Sequence, residues 1–195
     1  PELQKAQYST FFSVAFYIYA TKITLFERTT KQKTNVFSLS LHHKPQYFAR
    51  TMNIYRIRAV TAELVEALER LLPQLSSSAQ TPDAESVEKL LTNDNTHLLV
   101  AEEGGTIAGM LTLAVVELPT GRKAWIEDVV VDGEFRGRKI GEALVEKAKE
   151  EAAAIGAKKL YLTSNPSRKA AHALYTKCGF EVYDTTLFRI VPQKK

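Results

Sequence analysis

From Met52 onward the apolar positions fall into regular periods. Ile54, Tyr55, Ile57 and Val60 suggest a first strand. Thr61-Ala-Glu-Leu then reads as a helix N-cap, with Leu64, Leu68, Leu71 and Leu72 at helical spacing. Ser76 to Pro82 is loop-like, and Asp83 can cap a second short helix carrying Val87, Leu90 and Leu91. A strand is predicted from His97 to Glu102, a hairpin turn at Gly104-Gly105, and a strand from Thr106 to Leu118. Pro119-Thr-Gly121 turns the chain into a strand from Ala124 to Val131. A long helix from Ile140 to about Ile155 stops at Gly156, the residue that suits a left-handed C-terminal cap. Lys159–Thr163 reads as a strand, Ser167–Lys177 as a helix stopped by Gly179, and Phe180–Val191 as a closing strand. The predicted order is β-α-α-β-β-β-α-β-α-β without internal repeat, an α/β arrangement of a mixed sheet with helices on its faces.

The first 51 residues break this regularity. They contain neither Gly nor Asp and are rich in Phe, Tyr, Thr, Ser and Lys. The apolar stretch from Phe11 to Ala20 is too short to span a bilayer, which needs about 20 residues. Its composition is compatible with the core of a signal peptide or part of a transit peptide. The preferred expectation is that residues 1–51 form an extension outside the fold, and that one domain occupies residues 52–195.

Charge sharpens this division. The whole chain has a formal net charge of +4, which taken alone suggests an acidic partner. Seven basic and two acidic side chains lie in residues 1–51, leaving 19 basic and 20 acidic in the remainder. The remainder is therefore near neutral, and neither a nucleic-acid nor a membrane partner is expected for it. Cys178 is the only cysteine, so no intrachain disulfide is possible; a reducing, cytoplasmic setting is the expectation. No Cys/His/Asp spacing suggests a metal site.

The chemistry concentrates in Val129-Val-Val-Asp-Gly-Glu-Phe-Arg-Gly-Arg-Lys-Ile-Gly-Glu-Ala-Leu144, a β-branched strand running through a glycine-containing loop into a helix. A helix start leaves backbone N–H groups without intrahelical partners and attracts anions. Gly137 and Gly141 permit close backbone approach, while Arg136, Arg138 and Lys139 add positive charge at the same place. This reads as a diphosphate cradle; the plain alternative is a solvated basic helix start. Neither a P-loop nor a dinucleotide fingerprint occurs.

The run from Val131 to Gly141 resembles the acetyl-CoA-binding motif of the GNAT superfamily of N-acyltransferases: Gln or Arg, two residues, Gly, one residue, then Gly or Ala. Arg136 matches its first position and Gly141 its last, while Lys139 stands where glycine is usual. Leu162-Thr-Ser-Asn-Pro-Ser-Arg-Lys-Ala-Ala-His-Ala-Leu-Tyr-Thr-Lys-Cys-Gly-Phe180 is similar to the family's second signature. The resemblance covers about Ile54 to Val191. It implies a mostly antiparallel sheet with a splayed central strand pair and acetyl-CoA as co-substrate without a metal. The pantetheine arm would lie along Val129, Val130 and Val131, the diphosphate on Arg136, Gly137, Arg138, Lys139, Ile140 and Gly141, and Asn165 would be a side-chain partner for the arm.

The implied reaction is direct attack of an amine on the thioester. A lysine-like amine has a pKa of about 10.4 and must lose a proton first, and the departing thiolate gains one. Tyr175 stands where the family places a general acid, although Ala171, Leu174, Tyr175 and Cys178 also form an apolar helical stripe of the kind that packs a core. Glu127 is favoured over Asp128 as base because it shares strand parity with Val129 and Val131. Cys178 reads as a buried structural thiol, His172 as solvent-facing, and His97 as a residue without an obvious partner. The expected acceptor is a small-molecule amine. A protein N-terminal or lysine acetyltransferase and a non-catalytic acetyl-CoA-binding module are the alternatives, and a homodimer is compatible with the pattern.

Overall fold

A computed structural model describes residues 51–192; the extension expected over residues 1–51 lies, but for Thr51, outside the described residues. The domain contains β1 (Met52–Arg56), α1 (Ala62–Leu75), α2 (Ala84–Thr92), β2 (Thr96–Glu103), β3 (Thr106–Val116), β4 (Lys123–Val131), a 3-10 turn (Gly133–Phe135), α3 (Ile140–Ala154), β5 (Leu160–Leu162) and α4 (Lys169–Lys177). The strands lie in sequence order across one sheet. The first three pairings are antiparallel and only β4–β5 is parallel.

Each face of the sheet is covered because each strand alternates. Leu98 and Val100 of β2, Met110 of β3 and Val130 of β4 point to one side, where they meet Leu64, Ala67, Leu68 and Leu71 of α1 and Val87 and Leu91 of α2. Leu99, Ala101, Leu111, Leu113, Ala124 and Ile126 point to the other, against Ile140, Leu144, Val145, Ala148 and Ala152 of α3. Leu174 and Tyr175 of α4 pack onto this second cluster. Cys178 is buried there, with burial pushing its thiol pKa up, as a structural thiol requires.

The helix starts follow the sequence chemistry. The Thr61 hydroxyl accepts the Leu64 N–H at 3.2 Å, and the Asp83 carboxylate accepts the Ser86 N–H at 2.8 Å. Gly156 adopts φ +73° and ends α3.

Two expectations need correction. Phe180–Val191 alternates well enough for a strand, but from Phe180 to Pro192 the chain joins no ladder, and Val182, Leu187, Phe188, Ile190 and Val191 are exposed. Alternation records a capacity to pair, and this segment finds no partner strand among the described residues. The β4–β5 pair, which separates after Ile126, has β5 outermost among the described residues. His97 does have neighbours: its buried ring places Nδ1 3.4 Å from Glu151 Oε2 and Nε2 3.3 Å from the Asp94 carbonyl.

Candidate active site

The site begins where the β4–β5 ladder stops. Ala124, Trp125 and Ile126 pair with Leu160, Tyr161 and Leu162, and no pairing continues beyond Ile126. On its other edge β4 stays paired to β3, but Thr112 faces Glu127 while Met110 faces Val130. Two residues, Asp128 and Val129, thus oppose Leu111 alone. Asp128 takes φ +51°, the left-handed backbone that makes such a bulge. The strand bends, and its far edge is left without a neighbouring strand.

This bulge overturns the parity argument for Glu127. After the extra residue, Val129 and Val131 pack on the α3 side, while Glu127 shares the opposite face with Trp125 and Val130. Glu127 remains at the opening on different grounds. It is solvent-accessible, yet desolvation by the surrounding strands raises its pKa, and the adjacent Asp128 charge raises it further.

Beyond β4 the chain is anchored before it turns. Asp132 is buried and accepts from the Glu134 N–H at 3.1 Å and from Arg70 Nε at 2.6 Å. Burial alone would raise its pKa; the hydrogen bonds from Glu134 and Arg70 outweigh that and hold the carboxyl below its ordinary value. The Gln74 side-chain oxygen accepts the Gly133 N–H at 2.9 Å, so α1 holds this turn twice. Neither Asp132 nor Arg70 was singled out by motif. A lone carboxylate ending an apolar strand was the only available hint.

The helix start that follows carries no cap of its own. Lys139 occupies the N-cap position of α3 at φ +62° and makes no side-chain capping bond. The first N–H groups of α3 therefore lack a side-chain acceptor. Gly137, at φ +77°, has open space where a side chain would project. Gly141 serves packing: a Cβ there would come within 3.2 Å of Leu174 and 3.6 Å of Val131. Ile140 is buried in the core. Gly109 is a similar residue that the motifs did not flag; its missing side chain admits the Val130 carbonyl, which a Cβ would meet at 2.9 Å.

A cavity of about 340 Å³ lies alongside, lined by Gln74 and Leu75 of α1, Val129, Val130, Val131, Arg136, Arg168, Ala170 and Ala171. The structure thus brings four of the expected cofactor residues together. Arg138 is drawn elsewhere, with Nη1 3.2 Å from both Glu103 carboxylate oxygens and its guanidinium 4.8 Å from the Phe135 ring centroid. Asn165 caps its own turn, its Oδ1 accepting from Ser167 N at 2.9 Å and Ser167 Oγ at 2.8 Å. Arg168, which sequence reasoning passed over, spans from the start of α4 to donate to the Leu75 carbonyl at 3.1 Å. Tyr175 packs edge-on to Phe180 at 6.2 Å between centroids. Burial raises its phenol pKa, the Arg168 charge lowers it in part, and Cys178 and Glu127 raise it again. That phenol is protonated at neutral pH and able to donate.

Comparison with known proteins agrees with this geometry. Residues 55–180 match the Acetyltransferase (GNAT) family. The chain is 35% identical over 138 residues to a glucosamine 6-phosphate N-acetyltransferase from Oryza sativa subsp. japonica, covering 65% of this chain and 81% of the relative. It is 28% identical over 135 residues to an aminoalkylphosphonate N-acetyltransferase from Salmonella typhimurium, covering 67% and 87%. The fold is similar to that of a putative acetyltransferase from Agrobacterium tumefaciens, with a TM-score of 0.63 at 28% identity, covering 72% of this chain and 99% of that one.

Proposed function

Because this chain belongs to the GNAT acetyltransferase family and is an acetyl-CoA-dependent N-acetyltransferase, we propose that it acetylates the primary amine of a small molecule, using Tyr175 and Glu127, from a domain of residues 52–195. The observation that carries this reading is the open edge of β4 after Ile126, with an uncapped helix start beside it.

The backbone groups of Val129 and Val131, which face the open edge of β4, suit the amides of a pantetheine arm, which would add there as a short strand adds to a sheet edge, with Val130 lining the same cavity. The N-terminal N–H groups of α3 and the Arg136 guanidinium suit a diphosphate. Space around Gly137 is open, so no neighbouring atom crowds the backbone there. Arg138 and Asn165 would join the site only by leaving Glu103 and Ser167.

Acetyl transfer then needs proton movements at both nitrogen and sulfur. Glu127, exposed on the side of the sheet away from α3, takes a proton from the incoming ammonium directly or through water. The free amine attacks the thioester carbonyl, the new C–N bond forms, and the C–S bond breaks as the tetrahedral adduct collapses. Tyr175 gives its phenolic proton to the departing thiolate, and the second proton shed by the attacking nitrogen as the amide forms restores the phenol through solvent. Each positioned acid or base typically contributes about 10²–10⁴-fold.

The test is amine-dependent release of CoA by the full chain, followed across pH. Glu127 must be ionised to act, and its pKa is raised, so activity should rise with pH through a value above the ordinary carboxylate range. Glu127→Gln should remove that acidic limb while acetyl-CoA binding, measured by calorimetry, is unchanged. A limb that persists in Glu127→Gln assigns the base elsewhere.

A further inference from the structure

On the face of the sheet that carries Glu127, the cover supplied by α1 and α2 on β3 and β4 ends at Met110 and Val130. The rows beyond it stay accessible. Thr112 stands opposite Glu127, and Ala114 opposite Trp125, with Tyr161 next across the parallel pair. Thr112, Ala114, Trp125 and Tyr161 are all only partly buried.

Two large rings on an accessible sheet face need a reason. Trp125 and Tyr161 lie 4.9 Å apart between centroids at 30°, a near-stacked pair. Tyr183 closes the far side of Tyr161 at 6.1 Å, and Lys159 Nζ lies 5.9 Å from the Tyr183 centroid. One face of the Trp125 indole is taken by Tyr161. Across its other edge Trp125 is paired with Ala114, and the step from that single methyl up to the indole leaves a shallow bay. Glu127 is two residues further along the same strand, roughly 7 Å away at strand spacing. A flat apolar ring lying in that bay would place an amine on a short arm beside the Glu127 carboxylate, on the way to the opening between β4 and β5.

We propose that Trp125 and Tyr161 seat the ring of an arylalkylamine, which makes the acceptor a primary amine on a short arm from a flat aromatic system. This rests on the acetyltransferase reading above, with Glu127 as base. The bay suits such a molecule better than a phosphorylated sugar. Its base, Thr112 and Ala114, carries one hydroxyl for a ring of hydroxyl groups, and the lysines of the next row, Lys123 and Lys159, lie on the side away from Glu127. An ammonium approaching the indole face gains a cation–π attraction before Glu127 takes its proton.

Trp125 is the only tryptophan in the chain, so its emission reports directly on the bay. The experiment titrates the full chain, saturated with CoA, with 2-phenylethylamine, butylamine and glucosamine 6-phosphate while exciting the indole. CoA release from acetyl-CoA is measured for the same three amines. The expected result is a saturable change of emission with 2-phenylethylamine alone, and a kcat/KM for it about two- to tenfold above that for butylamine, the size of one ring-stacking contact. Trp125→Leu and Tyr161→Leu should bring that ratio toward one. Tyr161→Leu keeps the fluorescent reporter, so the bay remains readable if the Trp125 variant does not fold. Equal turnover of 2-phenylethylamine and butylamine, or unaltered emission at saturating arylalkylamine, overturns the proposal while leaving the transferase intact. Failure of the underlying reading looks different: acetyl-CoA would not bind in calorimetry, and no amine would release CoA.

Discussion

The two halves of β4 belong to one strand and do different work. Its first half, through Ile126, is paired on both edges and buries Ala124 and Ile126 against α3. Its second half, from Asp128 to Val131, is bulged, paired on one edge only, and borders a cavity. The helix starts divide in the same way. Thr61 and Asp83 close the first turns of α1 and α2 with their own side chains, whereas Lys139 leaves α3 open. Where backbone groups are satisfied within the chain the structure is a scaffold, and where they are left free it is shaped to receive another molecule.

This contrast is sharpest in catalysis. Tyr175→Phe deletes one hydroxyl and keeps the ring against Phe180 and the core. Turnover is expected to fall by about 10²–10⁴-fold with the acetyl-CoA dissociation constant and melting temperature nearly unchanged. Normal turnover in this variant would return Tyr175 to the scaffold.

Substitution in the paired half should do the reverse. Ile126 is almost fully buried, and Ile126→Ala should cost about 2–5 kcal/mol of stability by denaturant unfolding, while acetyl-CoA affinity below the melting transition stays within a factor of two or so. A selective loss of affinity instead would erase the distinction between the halves.

At the open helix start, Arg136 lines the cavity and has only a long 3.4 Å contact with the Val131 carbonyl, so it is available to an anion. Arg136→Ala should weaken acetyl-CoA by about 1.5–3 kcal/mol, the range for a hydrogen bond to a charged group, as read by calorimetry. Arg138→Ala should weaken it less, since Arg138 is already engaged by Glu103.

The smallest effect concerns Lys139. A left-handed conformation costs a non-glycine residue roughly 1–2 kcal/mol. Lys139→Gly, which restores the residue usual at that motif position, should therefore raise stability by up to about 1 kcal/mol, because glycine also gains freedom in the unfolded chain. A drop in melting temperature would show that the Lys139 side chain stabilises the loop in some other way.

Much of this was legible in the chain because it is local. Leucine spacing marked α1, the Thr61 and Asp83 caps marked two helix starts, and Gly156 marked the end of α3. Val129, Val130, Val131 and Arg136 were expected together from the sequence, and one cavity is lined by all four. What was illegible depends on distant neighbours or on a single torsion. The bulge at Asp128 has no periodic signature, so parity carried Glu127 onto the wrong face. Arg168 reaches Leu75 across 93 positions of sequence, and Arg70 reaches Asp132 across 62. The alternation of Val182 to Val191 announced a strand but could not supply its partner.

The brevity of β5 bears on how copies of this protein tolerate one another. An outermost strand offers unpaired N–H and C=O groups to any passing sheet, and long, flat, apolar edges invite stacking between molecules. Here that edge is three residues long and is preceded by Lys158 and Lys159, both exposed. Little backbone is exposed for a stranger to extend, and two positive charges stand at its entrance. The same shortness withdraws β5 from the second half of β4, so one truncated strand both leaves the gap beside β4 open and blunts the margin of the sheet against association.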